Sequence, residues 1–139
     1  MLSLGGMLHD CVRFARSTLF AVINIAILIV LAFLVVHRRI AHQVALGAGG
    51  HDTLERAIRA HGNLAEYAPA ALILLALAEL NGLPAWQLYA LGGVFTAARL
   101  SHAHGLLTAT LRTRTLGTIF TIVVMMSLIG RLLTLAVLG

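Results

Sequence analysis

The sequence predicts an all-α membrane protein, a bundle of four transmembrane helices. Hydrophobic residues make up 60% of the 139 residues and charged residues only 11%, whereas a soluble domain carries roughly 25% charged residues. Four apolar runs are separated by short polar connections. So few charges cannot build a water-facing surface, and most of the surface must therefore face lipid or other helices.

The first apolar run, Thr18–Val36, is long enough to cross ~30 Å of hydrocarbon at ~1.5 Å per residue. It is longer than the apolar core of a signal peptide and is followed by Arg38 and Arg39, which favours a retained helix. We predict this helix at about residues 18–37. Residues 1–17 show no helical or strand periodicity in their hydrophobic residues. We therefore expect a flexible segment there, before a single domain of residues 18–139.

The other three runs predict helices at about residues 53–81, 84–104 and 114–138. Asp52 and Glu55 have the spacing of a capping box at the start of the second helix. Asn81, Gly82 and then Pro84 indicate its end. The second helix is longer than the hydrocarbon is thick, so we expect its first turns at or beyond the membrane interface, and we expect a kink at the internal Pro69.

The basic residues, all of them arginine, predict the orientation. The net charge is +5, and the arginines lie between hydrophobic runs rather than in one basic stretch, which argues against a nucleic-acid partner. The side with the first and third loops carries seven: Arg38, Arg39, Arg56, Arg59, Arg99, Arg112 and Arg114. The other side carries three: Arg13, Arg16 and Arg131. The positive-inside bias places the first and third loops in the cytoplasm and both termini outside.

A polar face on the second helix is the most informative feature. Arg59, Asn63 and Glu66 fall within about 60° of arc on a helix. A carboxylate in a membrane helix is costly unless it is paired, so we expect Glu66 to pair with Arg59, Asn63 and an arginine from another helix. Such a set of residues either binds a ligand or forms a polar clamp whose members pair with one another and fix helix packing.

Two further clusters lie at the ends of the third and fourth helices. Arg99 and His102 share a helical face, whereas His102 and His104 point to different sides, so we expect no metal site. Arg112 and Arg114 begin the fourth helix, where an arginine is often an interface anchor. Together the clusters suit an anionic, peptide-sized molecule beside lipid, since arginine binds carboxylates in paired hydrogen bonds and positive charge raises the thiolate fraction of a thiol.

These residues resemble the MAPEG family, the membrane-associated proteins in eicosanoid and glutathione metabolism. Residues 59–69 read Arg-Ala-His-Gly-Asn-Leu-Ala-Glu-Tyr-Ala-Pro, similar to the family signature Arg-Ala-x-x-Asn-x-x-Glu-Tyr-x-Pro. Further matches are the Arg38–Arg39 pair, residues 99–105, and Arg114 with Gly117 and Thr121. The resemblance covers nearly the whole chain and is closest to the short bacterial branch.

The resemblance implies a left-handed four-helix bundle that forms a homotrimer in the bacterial inner membrane, with glutathione bound between subunits. The implied glutathione-binding residues are Arg38, Arg59, His61, Asn63, Glu66, Tyr67, Arg99 and His102. Arg114, with Arg112 as a rival, is implied to stabilise the thiolate that attacks a lipophilic electrophile or hydroperoxide. The eukaryotic enzymes carry tyrosines where this chain has His102 and Leu106.

Two alternatives differ in class from this enzyme. One is a non-catalytic trimer of the same fold, whose polar cluster serves assembly or binds another anion. The other is a small multidrug exporter, a four-helix protein with a membrane-embedded glutamate in its first helix. The first helix here has no carboxylate and only Asn24, which disfavours the exporter.

Overall fold

Residues 15–138 of this computed structural model form four α-helices and contain no β-strand. The helices are α1 (Ala15–His42), α2 (Asp52–Leu80), α3 (Ala85–Leu107) and α4 (Leu111–Leu138). They are joined by loop 1 (residues 43–51), loop 2 (81–84) and loop 3 (108–110). The predicted all-helical membrane fold is confirmed. Of the predicted flexible segment 1–17, residues 15–17 are helical, so that prediction is wrong for them, and residues 1–14 lie outside the described part.

Three helices, α1, α2 and α4, are long and apolar enough to cross a membrane. The remaining helix, α3, is 23 residues long, which corresponds to about 35 Å. It carries Arg99, His102 and His104 near its end and packs against all three other helices. Helices α2 and α3 therefore form the centre of the bundle, and α1 and α4 flank them.

Helix boundaries extend beyond the apolar runs because backbone hydrogen bonding continues where hydropathy falls. α1 continues past Arg38 and Arg39 until Gln43 takes a φ of 55°. α3 likewise runs to Leu107, three residues past its predicted end, before Ala109 takes a φ of 59°. The N–H of the next residue, Val44 or Thr110, then donates to the carbonyl of Arg39 or Gly105, as in a Schellman motif.

The start of α2 differs from the prediction. The helix begins at Asp52, its N-cap residue is His51, and no side chain caps it. The predicted capping box is therefore wrong: Asp52 and Glu55 lie within the first turn, where negative charge complements the helix dipole. α2 continues through Pro69 as one helix.

Close backbone approaches hold α3 against its neighbours. A Cβ added at Gly92 would lie 2.3 Å from the Phe20 ring of α1. Beside it, the buried Asn24 side chain donates from Nδ2 to the Phe20 carbonyl and to Thr96 Oγ1, both at 2.9 Å. The hydrogen bond to Thr96 joins α1 to α3 within the bundle.

Candidate functional site

A large open cavity lies along the first four turns of α2, at the end of the bundle that carries loops 1 and 3. Its volume is about 770 Å³, within the range of about 300–1,000 Å³ typical of small-molecule sites. It is lined by Asp52, Glu55, Arg56, Ile58, Arg59, Gly62, Asn63 and Glu66 of α2, with Leu106 of α3 and Arg114 of α4. From Asp52 to Glu66 the lining extends for about 21 Å along the helix.

Both signs of charge line this large cavity. Three arginines and three carboxylates face it, together with the amide of Asn63. Four of the predicted site residues are among its lining: Arg59, Asn63, Glu66 and Arg114. The structure thus brings the predicted polar face of α2 and the start of α4 to one cavity.

Sequence reasoning missed the first turn of this lining, Asp52 and Glu55. Asp52, Glu55 and Arg56 lie seven, four and three residues before Arg59, so they continue the same face by about two further turns. The signal that could have found them is this helical spacing. The sequence contains it, but the same spacing also fits a capping box.

Arg99 forms a polar clamp between α3 and α2. Its Nη1 donates to Asn63 Oδ1 at 2.6 Å, and its guanidinium carbon lies 5.1 Å from the centroid of the Tyr67 ring, within the range of a cation–π contact. Arg99 is only 3% exposed, and its Nε has no hydrogen-bond partner in the described part of the chain. The arginine predicted to come from another helix is therefore Arg99, but it contacts Asn63 and Tyr67.

Glu66 does not form the predicted pairing. It is exposed and makes no hydrogen bond or ion pair with another residue of the range 15–138. The expected contact with Asn63 is wrong: the structure gives no hydrogen bond between the two side chains, and Asn63 instead accepts one from Arg99 at its side-chain oxygen Oδ1. The Glu66 carboxylate is consequently available to a group that enters the cavity.

His102 fixes the start of α4 rather than lining the cavity. It is 5% exposed, and its Nδ1 lies 3.1 Å from the Arg114 carbonyl oxygen and 3.0 Å from Thr118 Oγ1. Two glycines allow this close contact: a Cβ on Gly105 would lie 2.4 Å from the Arg114 backbone nitrogen, and one on Gly117 would lie 2.6 Å from the Ala98 carbonyl oxygen. The contact sets where the Arg114 side chain leaves α4.

Arg38 joins the end of α1 to the start of α2 and does not line the large cavity. Its Nη1 donates to the carbonyl of Thr53 in the first turn of α2. His42 Nε2 lies 3.3 Å from the Thr53 hydroxyl, and the His42 ring stacks on His51 with centroids 4.1 Å apart. Arg38 thereby positions the beginning of the polar face of α2.

The remaining predicted residues lie apart from the cavity lining. Tyr67 is half-buried beneath Arg99, and His61 is half-buried on α2. Arg112 is exposed and does not line the cavity, whereas Arg114, two residues on, does. The geometry therefore separates the two rival arginines. No group of three or more metal-ligating side chains forms within residues 15–138.

A second, small cavity of about 240 Å³ adjoins the large one. It is lined by Arg56, Gly105, Leu106, Ala109, Thr110, Leu111 and Arg114. Arg56, Leu106 and Arg114 line both cavities.

A buried carboxylate at the opposite end of the bundle was not predicted. Glu79 is 4% exposed and accepts backbone N–H hydrogen bonds from Arg16 at 3.2 Å and Ser17 at 2.8 Å. The Arg16 guanidinium lies 3.7 Å from the same carboxylate. Glu79 therefore satisfies backbone N–H groups at the start of α1 and has a structural role far from the cavity.

Comparison with known proteins agrees with this architecture. The MAPEG family model matches residues 17–134. Inner membrane protein YecN of Escherichia coli K12 is 42% identical over 89 residues, which cover 64% of this chain and 68% of the relative. The YecN protein of Escherichia coli O6:H1 matches to the same extent. With a match over nearly the whole bundle and three helices able to span a membrane, the chain belongs to the MAPEG family of membrane proteins.

Proposed function

We propose that this protein is a membrane-bound glutathione transferase or peroxidase that binds glutathione in the large cavity and activates its thiolate. The supporting observation is that one cavity gathers three arginines, three carboxylates and an amide at the end of an otherwise apolar bundle. Glutathione carries two carboxylates, one ammonium group and a thiol. The cavity offers a partner of opposite charge for each ionised group.

We infer these partners from the arrangement along α2. Arg56 and Arg59 lie on the first turns and suit the two carboxylates. Glu66, which has no partner in residues 15–138, suits the ammonium group. Arg114 reaches the cavity from α4 and would then face the thiol, with Arg99, His102 and Tyr67 as positioning residues behind the cavity wall.

The chemistry follows from a stabilised thiolate. Positive charge from Arg114 favours loss of the thiol proton to water. The thiolate sulfur then forms a bond to an electrophilic carbon, and the leaving group departs with its electron pair. With a hydroperoxide, the sulfur attacks oxygen and breaks the O–O bond, giving an alcohol and a sulfenic acid, which a second glutathione converts to a disulfide and water.

We also propose that the protein is a homotrimer of the inner membrane, with loops 1 and 3 in the cytoplasm and both termini outside. The cavity is open on one side, and Glu66 is exposed on a helix apolar enough to span the membrane, so a neighbouring copy would shield it from lipid. The loop orientation rests on the arginine asymmetry. Labelling of Leu46→Cys in loop 1 by a membrane-impermeant thiol reagent, with Cys11 replaced by serine, should require permeabilised cells.

A non-catalytic role is the second candidate. Arg38, Arg99 and His102 already have partners within one chain, as a clamp that fixes helix packing would require. In that case the polar cluster would serve assembly or hold another anion.

Calorimetric titration of the purified protein with glutathione separates these candidates. We expect binding in the low-millimolar range or tighter, and weaker binding after Arg59→Ala or Glu66→Ala, because both line the cavity. Arg112→Ala is the matched control, since Arg112 is exposed at the same end of the bundle but does not line the cavity. No heat of binding, with no protection of the trimer by glutathione, would exclude the proposed function.

The role of Arg114 is tested by the rate of conjugation to a dinitrohalobenzene. Arg114→Ala should leave glutathione affinity largely intact and slow the reaction, because its charge acts on the thiolate. Arg112→Ala should retain the wild-type rate. If Arg112→Ala abolished the reaction and Arg114→Ala did not, the assignment of the thiolate-stabilising arginine would be reversed.

A further inference from the structure

A separate cavity lies at the loop 2 end of the bundle, opposite the large cavity. Its volume is about 270 Å³, and it lies between loop 2 and the last turns of α4. Its wall is mostly apolar and includes Leu83, Pro84 and Leu135. Among the described residues, the one charged side chain in this wall is Arg131. The loop 2 cavity therefore presents a positive charge beside apolar surface.

The guanidinium of Arg131 is held in place but has no counter-ion within residues 15–138. Its Nη2 donates to Gln87 Oε1 of α3 at 2.8 Å, which uses one of the five N–H donors of an arginine. The described carboxylate at this end, that of Glu79, is 4% exposed and pairs with Arg16. One neutral acceptor therefore leaves the charge of Arg131 uncompensated in this part of the chain.

Arg131 lies at the level of the membrane interface. It is seven residues from the end of α4, a helix long and apolar enough to span a membrane. Its partner Gln87 lies between Trp86 and Tyr89 in the sequence, which are 70% and 51% exposed, and exposed rings of these two types concentrate at membrane interfaces. Phospholipid head groups supply the anions at this depth, where an unpaired charge costs more than it does in water.

We propose that the loop 2 cavity binds an anionic phospholipid, with the lipid phosphate on the Arg131 guanidinium and the first part of an acyl chain on Leu83 and Leu135. Arginine binds phosphate through paired, charge-assisted hydrogen bonds. The apolar wall contacts the acyl chain, which a free phosphate lacks. Because no described carboxylate lines the cavity, the site favours a head group of net negative charge over one that also carries an ammonium group.

This site lies apart from the glutathione cavity, so the inference is independent of the proposed function. The bound lipid contacts both loop 2 and α4, which line the cavity together. It thereby gives Arg131 the counter-ion that the described chain does not.

Trp86 allows the lipid at this cavity to be observed directly. It is the single tryptophan, is 70% exposed and lies two residues after Pro84 of the cavity wall. The full-length protein is reconstituted in phosphatidylcholine vesicles that contain a minor fraction of phosphatidylglycerol or phosphatidylethanolamine. The minor lipid is brominated near the glycerol end of an acyl chain, because bromine quenches tryptophan fluorescence at short range. We expect phosphatidylglycerol to associate about tenfold more tightly than phosphatidylethanolamine, the change that a charge-assisted hydrogen bond provides.

Substitutions assign this preference to the cavity. Arg131→Gln should remove it, because the phosphate loses its charged partner. Arg112→Gln is the matched control: it changes the net charge by the same amount at the opposite end of the bundle, where Arg112 is exposed, and should keep the preference. Thr134 also lines the cavity, so Thr134→Glu should remove the preference by placing a negative charge there, whereas Thr134→Gln should keep it. The Thr134 pair carries the test if Arg131→Gln does not fold.

Equal quenching by the two brominated lipids in the wild-type protein would overturn the inference. A preference that persists in both Arg131→Gln and Thr134→Glu would do the same, and so would an equal loss in Arg112→Gln, because net charge alone would then explain the preference. Inorganic phosphate at millimolar concentration should not relieve the quenching. Relief by phosphate would show a site for a free anion and would refute the assignment to a phospholipid.

Discussion

Replacing Gly117 by alanine would place a methyl group inside the contact between α3 and α4. The added Cβ would lie 2.6 Å from the Ala98 carbonyl oxygen and 2.7 Å from the His102 backbone nitrogen. These are backbone atoms, so the helices must separate to relieve the overlap. Overpacking of this kind costs about 1–3 kcal/mol.

A second glycine of the same helix provides the reference. A Cβ on Gly130 meets nothing within 4 Å, so Gly130→Ala changes only helix propensity, which favours alanine by about 1 kcal/mol. Because both substitutions gain this contribution, the difference between the two variants isolates the steric cost at Gly117. We expect Gly117→Ala to be less stable than Gly130→Ala by about 1–3 kcal/mol.

Unfolding in mixed micelles by titration with SDS measures this difference. The fluorescence of Trp86, the single tryptophan, can report the transition. Because Gly117 packs beside His102, and His102 contacts the Arg114 carbonyl at 3.1 Å, Gly117→Ala should also displace Arg114 from the cavity. Equal stability of the two alanine variants would refute the account of how α3 and α4 pack.

Two further substitutions test helix ends with the same unfolding assay. Ala109→Gly should stabilise the protein by about 1 kcal/mol, because Ala109 has a φ of 59° in a region that glycine adopts at no steric cost; a loss of stability would contradict the left-handed conformation there. Glu79→Gln should destabilise it by about 1–3 kcal/mol, because charged hydrogen bonds to the backbone of Arg16 and Ser17 are weakened. Glu55→Gln, at an exposed position of α2, should change stability far less, and an equal effect of the two glutamine variants would refute the capping role of Glu79.

The polar face of α2 could be predicted from sequence because a helical period is a local property. Arg59, Asn63 and Glu66 are placed on one face by spacing alone, and the structure gives them one cavity. The partners of that face could not be predicted. Whether Arg99 meets Glu66 or Asn63 depends on the height at which α3 crosses α2, which no local pattern encodes.

Helix ends show the same division. The end of α2 was predictable because Gly82, with a φ of 81°, is the residue that a Schellman motif favours. The ends of α1 and α3 have Gln43 and Ala109 in the corresponding position, so no residue type signalled them. There the surrounding structure overrides the local preference.

Glu79 could have been identified by a simple argument. A carboxylate at the end of an apolar helix requires a partner, and the sequence offers none nearby. Its partners lie 62 and 63 residues away at the start of α1. Arg16 entered the sequence analysis only through its charge, as a guide to orientation.

A structure of the assembled protein determined with glutathione would test the central claim most directly. Our account predicts density for a thiol tripeptide in the large cavity, with its ionised groups on Arg59 and Glu66 and its sulfur facing Arg114. Density for the tripeptide elsewhere, or side chains of a neighbouring subunit filling the cavity and neutralising Glu66, would contradict it.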